Sequence, residues 1–183
     1  MAAETITFEN LRKPNFERLR TALFNKQPDA VPPIELGIHP LIMKEILGRP
    51  IAGVTDVIEF MRRMGYDFVK IQPKIIMNTQ RTSGSDDSDP DRAWAAEHGG
   101  IIQSWEDFEK YNWPTPESID YSNFEKARDN LPEGMGIIGQ YGDIYTTVWE
   151  MMGFENFAMA IYEDPELIEA LFEKVGSLIL SMF

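Results

Sequence analysis

Two groups of side chains could carry chemistry in this sequence. The first is Glu35 and His39, in Glu35-Leu-Gly-Ile-His-Pro40, together with Lys70 and Gln72, in Asp67-Phe-Val-Lys-Ile-Gln72. The second is Tyr141, Asp143 and Tyr145, in a polar loop that contains Gly142. His39 has the side chain that gains and loses a proton near neutral pH, so it suits an acid, a base or a substrate ligand. Its other role would be to cap or pack before Pro40. On a strand, Glu35, Gly37 and His39 share one side, and Phe68, Lys70 and Gln72 share one side of another. Glu35 and Lys70 would then meet as substrate-binding charges or as a structural ion pair, since charges inside a fold are kept paired. Gln72 either hydrogen-bonds a substrate at the mouth or caps a strand end. Tyr141, Asp143 and Tyr145 lie where loops supply functional groups, although Asp143 suits a helix cap equally. We take His39 and Gln72 as candidate catalytic residues and Glu35, Lys70, Tyr141, Asp143 and Tyr145 as candidate substrate-binding residues.

Other features read as structural. His98, beside Gly99 and Gly100, is expected at the surface. The acidic run Asp86, Asp87, Asp89 and Asp91 lacks the loop glycine and terminal Glu of an EF-hand, so it reads as a solvated loop rather than a calcium site. Trp149, Met151, Met152, Phe154, Phe157 and Met159 read as core. With 17 Lys and Arg against 30 Asp and Glu, a net charge of −13, the chain repels phosphate backbones and anionic lipid. Nucleic acid and membrane are thus not expected partners. Hydrophobic residues at 43% and charged residues at 26% supply a globular core. The absence of Cys excludes disulfides, zinc fingers and a thiol nucleophile within this stretch. The acidic start lacks the basic and apolar regions of a signal peptide, so a cytoplasmic protein is expected.

The elements that must hold these residues alternate. Phe16, Leu19, Ala22 and Leu23 predict a helix over 16–25. Val31 to Ile38 predicts a first strand, with Ile34, Leu36 and Ile38 on its apolar side. A helix over 41–47 ends at Gly48 in a left-handed cap, and Thr55 is a candidate N-cap for a helix through Met64. Residues 67–72 predict the second strand, with Val69 and Ile71 on its apolar side. The polar stretch 78–91 is expected as an exposed loop or hairpin tip, with 93–103 as the return strand. Ser104 with Asp107, and Ser122 with Glu125, have capping spacing. Residues 135–141 form the third strand, 147–162 a helix, and Asp164-Pro165 starts a last helix. Strands alternating with helices predict an α/β fold with parallel βαβ units. A barrel with its site at the C-terminal mouth fits, and an open doubly wound sheet is the alternative.

Four segments in order resemble the uroporphyrinogen decarboxylase family. They are Asn15-Phe-Glu-Arg-Leu-Arg-Thr-Ala-Leu-Phe-Asn-Lys-Gln-Pro-Asp-Ala-Val-Pro-Pro33, Gly136-Ile-Ile-Gly139, Val148-Trp-Glu-Met-Met-Gly-Phe-Glu-Asn-Phe157 and Tyr162-Glu-Asp-Pro-Glu-Leu-Ile168. The resemblance implies a (β/α)8 TIM barrel. It also implies one of two activities: tetrapyrrole decarboxylation in porphyrin biosynthesis, or zinc-dependent methyl transfer with a corrinoid protein. The decarboxylases are expected to carry two arginines after the first strand, an Asp at the end of the second and a Tyr after the third. Here those places hold Glu35 to Pro40 without arginine, Gln72-Pro73, and Thr147. A His and a Glu do not replace two fixed positive charges on substrate carboxylates.

Methyl transfer, to or from a thiol or methoxylated compound, is therefore the favoured implication. In that branch zinc lowers the pKa of a bound thiol, and its ligands, typically a His and two Cys, are expected beyond Phe183. A porphyrinogen decarboxylase is the runner-up. A non-catalytic binding module on the same fold is the alternative from another class.

Eight βα units need roughly 200 to 250 residues, whereas 183 residues here yield three predicted barrel strands and an inserted hairpin. The expectation is a single barrel domain represented by its N-terminal half, with no second domain, exposing a strand edge and prone to aggregate alone.

Overall fold

The computed structural model describes residues 12–77, 81–83, 93–95 and 99–183. It is a mixed α/β structure, mostly helical, and its chain divides into two compact units. The first contains residues up to Pro73 and returns for Tyr121–Gln140; the second contains Lys74–Asp120 and Tyr141–Phe183.

The first unit is organised by two parallel strands, β1 (Phe68–Ile71) and β4 (Gly136–Gly139), with Val69 opposite Ile137 and Lys70 opposite Ile138. Their partners are α1 (Glu17–Leu23), α2 (Pro40–Leu47), α3 (Val54–Arg63) and α5 (Ser122–Asn130). Helix α3 is strongly amphipathic, and Ile58 and Met61 from it pack with Val69 and Ile71 of β1, Ala127 of α5 and Ile137 of β4. That leaves Phe68 and Lys70 on the opposite face, as strand alternation demands. At the foot of β1, fully buried Asp67 accepts hydrogen bonds from Arg12 at 3.0 Å, Arg18 at 2.9 Å and the Asn15 backbone N–H at 2.9 Å. Arg18 also pairs with Asp29 at 2.8 Å, so one guanidinium ties the segment after α1 to the sheet.

The expected strand over 31–38 is not formed. Pro32 and Pro33 remove two ladder donors, and Val31, Ile34 and Leu36 are exposed, Leu36 at 98%. The expected faces are not kept: Ile34 and Leu36 are exposed while Ile38 packs against the core, and Glu35 is half-buried while Gly37 and His39 are exposed. Thr55 is not the N-cap of α3, since Gly53 holds that position. The orphan N–H of Ala52 is instead met by the Asp56 carboxylate at 2.6 Å. Likewise α5 starts at Ser122 with Tyr121, not Ser122, in the cap position.

The second unit begins with two strands, β2 (Arg81–Ser83) and β3 (Ala93–Ala95), paired antiparallel. This agrees with the expected hairpin, although residues 99–103 of the expected return strand are irregular. The stretches 78–80 and 84–92, with the acidic run, and His98 lie outside the described residues. Helices α4 (Trp105–Lys110), α6 (Ile144–Met152), α7 (Phe154–Glu163) and α8 (Pro165–Leu180) follow. The core joins Val148, Met151 and Met152 of α6, Phe157 of α7 and Leu167, Leu171 and Val175 of α8.

The single helix expected over 147–162 is two, broken at Gly153. Gly153 has φ of 79°, and a Cβ there would lie 2.7 Å from the Gly99 carbonyl oxygen. At Gly100 a Cβ would lie 2.1 Å from the Met152 carbonyl carbon. Backbone rests on backbone at this joint, and the Ile102 N–H donates to the Met151 carbonyl at 3.0 Å. No described helix is long and apolar enough to cross a membrane.

Candidate functional site

In the first unit the candidate residues sit around the polar face of β1. Lys70 projects from the strand opposite Val69 and Ile71, and its ammonium donates to the backbone carbonyls of Glu35 and, at 2.6 Å, Leu36. The two residues are thus brought together as expected, but through the backbone. The Glu35 carboxylate is not Lys70's partner, and its Oε1 is buried without a hydrogen-bond partner. The physical reason is the missing strand: an irregular 34–38 segment turns its carbonyls toward β1 and an ammonium satisfies them. The Tyr66 hydroxyl is held above its ordinary pKa by burial and by the nearby negative charge of Glu35.

His39 is the N-cap of α2. Its Nδ1 accepts the Leu41 N–H at 3.3 Å, which puts the proton of the neutral ring on Nε2. The sequence explains the placement: Pro40 at the first helical position fixes the start, and the residue before it supplies the acceptor. The ring is exposed. Gln72 follows β1 directly and is also exposed.

In the second unit, Asp143 is the N-cap of α6. It accepts from the Thr146 N–H at 3.0 Å and the Thr146 hydroxyl at 2.7 Å, bonds that hold its carboxyl below the usual carboxylate range. Tyr141 is half-buried against the core, and burial pushes its phenol up. Tyr145, 56% exposed, stands edge-on to Phe157 with ring centroids 5.4 Å apart. Thr147 donates its hydroxyl to the Asp143 carbonyl at 2.8 Å and so completes the cap.

The most heavily bonded carboxylate of the first unit, Asp67, was not among the sequence candidates. Its signal is an acidic residue at the entry of an apolar strand, with arginines earlier in the chain and no local partner. Its bonds to Arg12 and Arg18 make it a structural anchor. The zinc that the resemblance implies finds no ligand set here: among the described residues no three His, Cys, Asp or Glu side chains could together hold a metal ion.

Set against family models, curated proteins and solved structures, the chain matches none of them.

Proposed function

We propose that this chain is the N-terminal part of a (β/α)8 barrel of the uroporphyrinogen decarboxylase kind. Its intact form moves a methyl group to or from a thiol or methoxylated compound, with a corrinoid protein as partner and a zinc held by residues outside this chain. The observation that carries the proposal is the parallel β1–β4 pair, in direct register, with α3 and α5 packed on one face and Lys70 on the other. Helices on one face of parallel strands, with a mixed set of Phe68 and Lys70 on the other, is the arrangement such a barrel needs for a site at its C-terminal mouth. His39 and Gln72 are the proposed catalytic residues, and Glu35, Lys70, Tyr141, Asp143 and Tyr145 the proposed substrate contacts. Porphyrinogen decarboxylation is the weaker version. No arginine stands in the 35–40 segment, and Lys70 already serves its carbonyl groups.

A second reading, a binding module without chemistry, is favoured by a specific observation. His39 and Asp143 both cap helices, and Lys70 holds backbone. The test is zinc analysis and methyl transfer from methylcobalamin to a small thiol by the intact gene product, alongside release of coproporphyrinogen from uroporphyrinogen. Zinc with methyl transfer is the expected result. Coproporphyrinogen release replaces it with the weaker version, and neither activity overturns both. Binding of a small ligand by the intact protein with no turnover of it would favour the binding module.

A further inference from the structure

Between the ion pair of Asp29 with Arg18 and the packing of Ile38 against the core, residues 31–37 of the first unit run as an irregular segment. Among the described residues, the hydrogen bonds that reach this segment come from one atom. The Lys70 ammonium donates to the Glu35 carbonyl and, at 2.6 Å, to the Leu36 carbonyl. Apolar burial adds little, since Val31, Ile34 and Leu36 are exposed. One half-buried lysine is thus the fastening at the middle of the segment.

The closed arrangement sets two terms against each other. It gains hydrogen bonds from a charged donor to two carbonyls. It also buries the Glu35 Oε1 where no described donor meets it, and that oxygen loses its hydration without replacement. A segment with few buried apolar contacts and such opposed terms belongs to the low-stability end of a fold, where local opening occurs. Gly37 supplies a point of movement: nothing lies within 4 Å of where a Cβ would stand, so its backbone can turn without repacking a neighbour. Pro32 and Pro33 have no N–H to give to a neighbouring strand, and the hold on β1 stays with Lys70.

We propose that residues 31–37 are a strap latched by Lys70, which opens about Gly37 and frees the Lys70 ammonium and the Glu35 carboxylate together. Closed, the strap withholds Lys70 from any ligand, because its own carbonyls occupy the ammonium. The inference concerns the latch and is independent of the methyl-transfer proposal.

A glutamate-specific protease reads the state of the strap, because it must take the Glu35 carboxylate and the peptide bond after it into its own site. Initial rates of cleavage after Glu35 and after Glu133, an exposed glutamate of the same unit, are followed by mass spectrometry on the full chain. In the unaltered protein the cut after Glu35 should be the slower. Cleavage through a fast opening tracks the population of the open form. Lys70→Met should therefore speed that cut roughly tenfold or more, the weight of hydrogen bonds from a charged group, and leave the cut after Glu133 unchanged. Brief acylation of the unaltered chain is a second readout that needs no variant: Lys70 should react more slowly than the exposed Lys44. Equal initial rates after Glu35 and Glu133, no acceleration in Lys70→Met, an equal acceleration after Glu133, or Lys70 acylated as fast as Lys44 would each overturn the proposal.

Discussion

Both units have an apolar core, but they differ in the charge they bury beside it. In the first, a carboxylate with no exposure, Asp67, lies beside the sheet and is held by two arginines and a backbone N–H, while Asp56 is nearly as buried. Among the described residues of the second, the buried set is apolar apart from Glu150, and it is dominated by one face of the sixteen-residue α8. The segment from Arg12 to Asp29 is fixed by charge geometry in addition to buried Leu19 and the Phe16 ring against Gly136. A long amphipathic helix needs no such device. Buried ion networks fix arrangement more than they add stability, whereas buried methylene groups add stability directly.

Asp67→Ala tests the first half of this contrast. It strands Arg12 and Arg18, and a loss of about 3–5 kcal/mol is expected in urea unfolding. Replacing Asp67, Arg12 and Arg18 together with apolar residues of similar volume should cost less than the single change. A larger cost would mean that the network supplies net stability. Next in size is Leu171→Ala, at a fully buried position of α8, with an expected loss of about 2–5 kcal/mol from the cavity it leaves. A value near zero would show that the apolar core of the second unit can collapse around the gap. Gly153→Ala should cost about 1–3 kcal/mol through the left-handed backbone, with the 2.7 Å approach to Gly99 adding to it, measured by the same unfolding curves.

The smallest effect concerns pH. The Ala52 N–H and the Arg49 guanidinium hold the Asp56 carboxyl below its ordinary value. The unfolded chain therefore takes up that proton first as pH falls. The stabilisation is complete above the usual carboxylate range and is lost as pH drops through the depressed native value. Unfolding midpoints measured downward from pH 7 should decline less steeply in Asp56→Asn. An unchanged slope would remove Asp56 from the acid sensitivity of the first unit.

What the sequence made legible follows the range of the forces involved. Gly48 as a left-handed cap, Ser104 with Asp107, and Asp164 with Pro165 are all settled within a few residues, and each forms as expected. The split of Val69 and Ile71 from Lys70 is local too, because it follows from strand alternation. The segment 31–38 shows the limit. Its alternation is that of a strand, but a strand exists only with a partner, and two prolines weaken it further. The break at Gly153 depends on Gly99 and Gly100, some fifty positions earlier, and helical periodicity runs through it unmarked. For the candidate site, the residue types of Glu35 and Lys70 suggested a meeting, whereas the atoms that meet are carbonyl oxygens, which have no signature in side-chain chemistry.

The parallel pairing of Val69 with Ile137 also sets a schedule for the nascent protein. On the ribosome β1 is complete before any of residues 72–135 has been made, and its partner strand follows only after them. At about 5–20 residues per second, β1 waits several seconds with its ladder groups unclaimed. For that interval α3, which is made just before it, is the element at hand to shield Val69 and Ile71. A helper that recognises extended apolar backbone would find its binding window there, and the window closes when Gly136–Gly139 emerges.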